Sequence, residues 1–232
     1  MSHSRVIAID GPAASGKSST AAAVALAVRL VHIDSGAWYR ALTWLSQTHA
    51  IADPDHLIVA ADRADLAMSF VDGALVLRAG SKEIDPELRT AVVTAGVSAI
   101  SAIPAVRDWI NGRLRATVTA LGGGVVDGRD IGTVVFPEAA LKVFLVATAM
   151  SRAERRLRQR GQAVDPEELA REAARLEARD RLDTARPVAP LRKAEDAVEV
   201  DTTELTFDAQ VARITALAAA RGLLTERPAS NI

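Results

Sequence analysis

The feature that most restricts this chain is the run Gly11-Pro12-Ala13-Ala14-Ser15-Gly16-Lys17-Ser18, which fits G-x-x-x-x-G-K-[ST] at every fixed position. Before it stand the apolar, β-branched residues Val6 to Ile9, and after it an alanine-rich stretch, Ser18 to Leu30, free of Pro and Gly. That order predicts a buried strand, a tight loop and a helix. In such a loop successive backbone N–H groups point inward, and the helix start adds partial positive charge, so the element cradles phosphate. Lys17 is expected to reach the β- and γ-phosphates of ATP and Ser18 to ligate Mg²⁺, with Ser19 completing the ATP-binding set.

Further strands are predicted at Val31–Ile33, Gly124–Val126, Leu141–Val146 and Ala197–Val200, separated by helical stretches. The expected fold is therefore α/β, a P-loop NTPase-type parallel sheet covered by helices on both faces. Between Ser69 and Arg89 two glycines, Gly73 and Gly80, flank the alternating run Ala74–Arg78, which predicts a small β insertion. One domain over residues 1–232 is expected. Its core takes about 1–62, 96–150 and 197–222, the insertion about 63–95 and an Arg-rich lid about 151–164, with a frayed tail at 223–232.

Composition narrows the function. Net charge is −1 and aromatic residues number eight, so a general nucleic-acid binder is disfavoured and any anion must be held locally. There is no cysteine, which removes disulfides and thiolate chemistry and fits a reducing compartment. The longest uncharged run, Thr90–Val106, is too short and too polar to span a membrane. A soluble, cytoplasmic monomer is the expectation. Of the 28 basic side chains only four are lysine. Coding bias would explain that skew, and so would the suitability of guanidinium forks for phosphate.

No N-K-x-D guanine-reading motif and no L-S-G-G-Q run is present, which leaves a small-molecule kinase as the leading class. Three further segments, IDSGAWYRA (Ile33–Ala41), DGRDIGTVVFP (Asp127–Pro137) and RDRLDTARPVAPL (Arg179–Leu191), resemble the acceptor-site signatures of bacterial cytidylate kinases. Their order and spacing match from about Val6 to Thr203.

The resemblance implies phosphorylation of CMP and dCMP by ATP with Mg²⁺, and it assigns roles. Lys17, Arg129 and Arg186 would be catalytic, with Arg40, Arg129 and Arg186 gripping the acceptor phosphate. Ser98, Arg107 and Asp130 would read cytosine, Arg179 and Asp183 would hold the ribose, and Ser35 and Tyr39 would line the pocket. Asp127 would hold water on the metal. Arg155 and Arg158, three apart on the lid helix, would point at ATP together. A kinase for another small acceptor, such as UMP or shikimate, and a catalytically silent nucleotide-binding module are the rival readings.

Several residues depart from the pattern or fall outside it. Ala14 replaces a frequent glycine and restricts the loop backbone. Trp38 stands where smaller side chains are usual and is expected in the core. Ala105 and Leu182 stand where many relatives carry Arg. His3, His32, His49 and His56 belong to no constellation and read as structural or surface residues. Asp130→Ala is expected to lose base preference more than folding stability.

Overall fold

The computed structural model describes residues 5–71 and 73–224. Five parallel strands form the central sheet: β1 (Val6–Asp10), β2 (His32–Asp34), β6 (Gly124–Gly128), β7 (Leu141–Val146) and β8 (Val198–Asp201), in the order β2-β6-β1-β7-β8. All five residues of β1 are buried, as a central parallel strand with two covered faces requires. Val6 and Ala8 join the core under α2 (Ser35–His49) and α6 (Pro104–Leu121). Ile7 and Ile9 face the opposite core under α1 (Lys17–Val28) and α9 (Phe207–Ala220). The sequence-predicted strands sit within two residues of those observed, β6 running on to Gly128, and helix α1 stops at Val28, where Arg29 turns left-handed at φ 56°.

The insertion is a three-stranded antiparallel sheet, β3 (Leu66–Val71), β4 (Ala74–Ala79) and β5 (Lys82–Glu83), entered from α3 (Pro54–Arg63) and left through α4 (Asp85–Leu88). It is no appendage. Leu66, Leu77, Ile84 and Leu88 share one apolar cluster with Trp38, Leu42 and Val6 of the main body. Trp38 is a core residue, set edge-to-face against Trp109 with centroids 5.5 Å apart. Helix α5 (Ala91–Ser101) precedes α6, and the Arg-rich segment folds as α7 (Ala149–Gln159) packed on α8 (Pro166–Ala185).

One sequence expectation, the start of the tail, needs correction. Leu223, placed in the frayed tail, is only 5% exposed and packs with Ile214 and Ala218; residues 225–232 lie outside the described part. The segment Ile131–Val135, read only as a signature, forms one wide π turn. Among the described residues no single helix is long and apolar enough to cross a membrane.

Candidate active site

The carboxyl end of β1 carries the phosphate loop, where β6 and β7 diverge on either side of it. Gly11 is obligatory there: a Cβ would lie 2.4 Å from the Leu145 carbonyl oxygen of β7. Gly16 takes φ 83° immediately before α1, and no side chain caps that helix start. Its first N–H groups are therefore left for an anion. Ala14 sits at φ 57°, so the alanine found in place of glycine adopts a backbone that favours glycine.

Lys17 is buried, with Nζ donating to the Pro12 carbonyl at 2.6 Å and to Ser15 Oγ at 3.4 Å. Burial, reinforced by Arg129, holds its pKa well below the usual lysine range. Ser18 Oγ donates to Asp127 Oδ2 at 2.7 Å, and Ser35 Oγ donates to the Asp127 carbonyl at 2.6 Å. The other carboxylate oxygen of Asp127 lies 2.7 Å from His32 Nε2. Burial works against a charged His32 ring, but Asp127 outweighs it and the pKa rises. His32 thus belongs to a constellation after all. Sequence could not show it, because the contact depends on β2 pairing with β6 in the register His32↔Val125 and Asp34↔Asp127.

A cleft of about 610 Å³ opens from this loop, within the range of ligand pockets, and nine basic side chains line it against four carboxylates. Arg40 is anchored by Asp34 at 2.6 Å, and Arg129 by Asp183 at 3.0 Å. Arg107 and Asp130 form a buried ion pair, with the Arg107 guanidinium 5.4 Å from the Tyr39 ring centre. Arg186 donates to Ser101 Oγ at 3.2 Å. Among the described residues, Arg40 Nε, Arg107 Nε, Arg179 Nε and Arg186 Nη2 are buried without a protein partner. Burial, followed by crowding from Arg129, pushes Arg179 down to about 10. A surplus of guanidinium groups over carboxylates, with donors left over, suits an anionic ligand.

The cleft brings together Ala14, Ser15, Gly16, Lys17, Ser18, Ser19, Ser35, Tyr39, Arg40, Arg107, Asp127, Arg129, Asp130, Arg155, Arg179, Asp183 and Arg186. Gly11, Pro12 and Ala13, expected in the ATP-binding set, do not line it, and the Ala13 N–H is already taken by Asp180.

Two expected residues outside the loop are not there either. Arg158 pairs with Glu154 at 2.6 Å on an exposed face, while Arg156 joins Arg155 in the cleft. Ser98 is one helical turn short, and Ser101 lines the cleft instead, its carbonyl accepting from Arg107 at 3.0 Å. Leu182 is 61% exposed and lies outside the cleft.

Sequence reading also missed Asp10. Its carboxyl accepts from the N–H groups of Ile131 and Gly132 at 2.9 and 2.7 Å and so fixes the π turn. Burial outweighs those two donors and pushes it up to about 7.

Ser18 Oγ and Asp127 Oδ2 offer adjacent hard oxygens beside the loop. The described residues contain no cluster of three or more His, Cys, Asp or Glu able to hold a metal. That donor set fits Mg²⁺, which takes few protein ligands and completes its shell with water and phosphate.

A phosphate loop and a set of arginines lining one cleft, on a parallel α/β sheet, are the fold and site of a P-loop phosphotransferase. Sequence comparison then gives the family. The Cytidylate kinase family model matches residues 7–220, and the chain belongs to that family. It is 42% identical to a cytidylate kinase of Listeria monocytogenes serovar 1/2a, covering 91% of this chain and 95% of the relative. A cytidylate kinase of Streptomyces griseus is 42% identical, with 87% of each chain covered. A bifunctional pantoate ligase/cytidylate kinase of Synechococcus elongatus is 44% identical over 96% of this chain, which spans 44% of that longer protein.

Proposed function

We propose that this enzyme transfers the γ-phosphoryl group of ATP to CMP and dCMP, giving ADP and CDP or dCDP in pyrimidine nucleotide metabolism. The observation that carries the reading is that arginines with unpartnered buried N–H groups line the same cleft as the uncapped start of α1. The acceptor phosphate carries close to two negative charges near neutral pH, so it is already a nucleophile and no general base is required. Catalysis then rests on alignment and charge neutralisation.

In this reading the loop amides and Lys17 hold the donor phosphates. Arg40, Arg129 and Arg186 hold the acceptor phosphate, with Arg40 and Arg129 preset by Asp34 and Asp183. Arg107, Asp130 and Ser101 meet the cytosine edge, where an acidic acceptor suits the 4-amino donor and guanidinium donors suit O2 and N3. Arg179 and Asp183 meet the ribose, and Arg155 and Arg156 cover ATP. Mg²⁺, held by Ser18 and by water on Asp127, would neutralise charge on the transferring phosphates. The absence of cysteine supports work in the cytoplasm, and all substrates are small molecules.

Steady-state kinetics with CMP, dCMP, UMP and AMP test the reading. CMP and dCMP should be turned over with kcat/KM at least tenfold above UMP and AMP. Equal turnover of UMP, or turnover of AMP alone, would overturn it.

A further inference from the structure

One polar cluster, Ala13 with Arg152 and Asp180, lies outside the cleft lining. Ala13, in the middle of the phosphate loop, is held through both of its backbone groups. Its N–H donates to Asp180 Oδ1 at 2.8 Å, and the Ala13 carbonyl accepts from Arg152 Nη1 at 2.8 Å. The same Arg152 nitrogen donates to Asp180 Oδ2 at 2.5 Å, and Arg152 Nε donates to the Ala147 carbonyl at 3.1 Å. Ala13 is 1% exposed and packs against Ala153 of α7 and Ala173 and Leu176 of α8. The loop is therefore seated on the two Arg-rich helices by a charged clamp and a small apolar contact.

Asp180 occupies a particular place on α8. Arg179 beside it and Asp183 one turn later both line the cleft on the acceptor side, and Asp183 positions Arg129. One helix thus presents Asp180 to the phosphate loop and its neighbours to the acceptor. The contact from α8 falls on Ala13, next to the left-handed Ala14 and four residues before Lys17. The clamp is mostly buried, so its charge-assisted hydrogen bonds are poorly screened and directional.

We propose that Asp180 is a positioning residue that couples the two halves of the site: it fixes the loop peptide at Ala13 according to the placement of α8, so each nucleotide strengthens binding of the other. This rests on the proposed seats of ATP and CMP. Linkage then demands reciprocity, with CMP raising affinity for the ATP analogue by the same factor as the reverse.

The test is calorimetric titration of CMP with and without a non-hydrolysable ATP analogue and Mg²⁺, on the full chain and on Asp180→Asn. Asparagine keeps the size and one acceptor but cannot serve both Ala13 N–H and the Arg152 fork. The unmodified chain should show a coupling factor on the order of 10. In Asp180→Asn the factor should fall to about 2 or less, while CMP alone binds within about twofold of the original.

Hydrogen exchange gives a second readout: CMP should slow exchange of the Ala13 amide in the original chain and not in the variant. A variant that keeps the full coupling factor overturns the proposal. So does an original chain that binds both nucleotides without coupling, which leaves the kinase reading intact. An original chain that binds no CMP overturns that reading instead. Should Asp180→Asn fail to fold, Arg152→Lys, which keeps the charge but loses the fork, carries the same expectation.

Discussion

Replacing Asp130 by alanine should cost substantial stability as well as selectivity, whereas the sequence suggests that selectivity is the larger loss. The Asp130 side chain is 5% exposed and its partner Arg107 is 2% exposed. Removing the carboxylate leaves a buried guanidinium with the Ser101 carbonyl at 3.0 Å and the face of Tyr39 as its remaining support. Breaking a buried pair from one side typically costs about 3–5 kcal/mol, against a total domain stability on the order of 5–15 kcal/mol. Asp130→Asn retains volume and an acceptor oxygen, and should cost about 1.5–3 kcal/mol, the range for a hydrogen bond to a charged group. Asp130→Ala combined with Arg107→Leu removes both charges and should be more stable than Asp130→Ala alone.

Urea unfolding followed by tryptophan fluorescence gives these numbers, since Trp38 and Trp109 lie in the same core cluster. The Asn variant, still folded, is then assayed for its CMP-over-UMP ratio, which should drop at least tenfold. A loss below about 1 kcal/mol for Asp130→Ala would refute the burial argument. An unchanged ratio in Asp130→Asn would remove Asp130 from base reading.

Lys17→Ala should abolish transfer, with kcat down at least a thousandfold, while thermal unfolding stays near that of the original; undiminished turnover would refute the assigned site. Asp10 has its carboxyl raised from 3.8 to about 7, so the native state holds that proton more tightly than the unfolded state. Its stabilisation is complete below pH 4 and is lost as pH rises through 7. Relative to Asp10→Asn, the original chain should therefore gain up to roughly 4 kcal/mol between pH 8 and pH 4 in urea titrations. A flat difference would contradict the shift. Ala14→Gly relieves a left-handed alanine at about 1 kcal/mol, so its melting temperature should hold or rise; a clear fall would show that the loop does not bear that strain.

Local features were readable in the chain because local physics sets them. The buried run before Gly11, the glycines the loop requires and the hairpin around Gly73 all follow from neighbouring residues. What escaped depends on partners distant in sequence. Asp10 reaches Ile131, Asp180 reaches Ala13, and His32 meets Asp127 only through strand register. Helical spacing put Arg155 and Arg158 together, yet the packing of α7 on α8 decides which side faces the cleft. There the buried Glu172 engages Arg156 at 3.1 Å and leaves Arg158 to solvent. Ser98 and Ser101 share a helix face for the same reason of period, and only the later one reaches the site.

In the proposed reaction donor and acceptor phosphates lie end to end in one cleft. Inhibition by adenosine and cytidine joined through five phosphates probes it directly. Competition against both ATP and CMP, with a Kd below that of either nucleotide, is the expected result. Competition against only one of them would contradict a shared cleft.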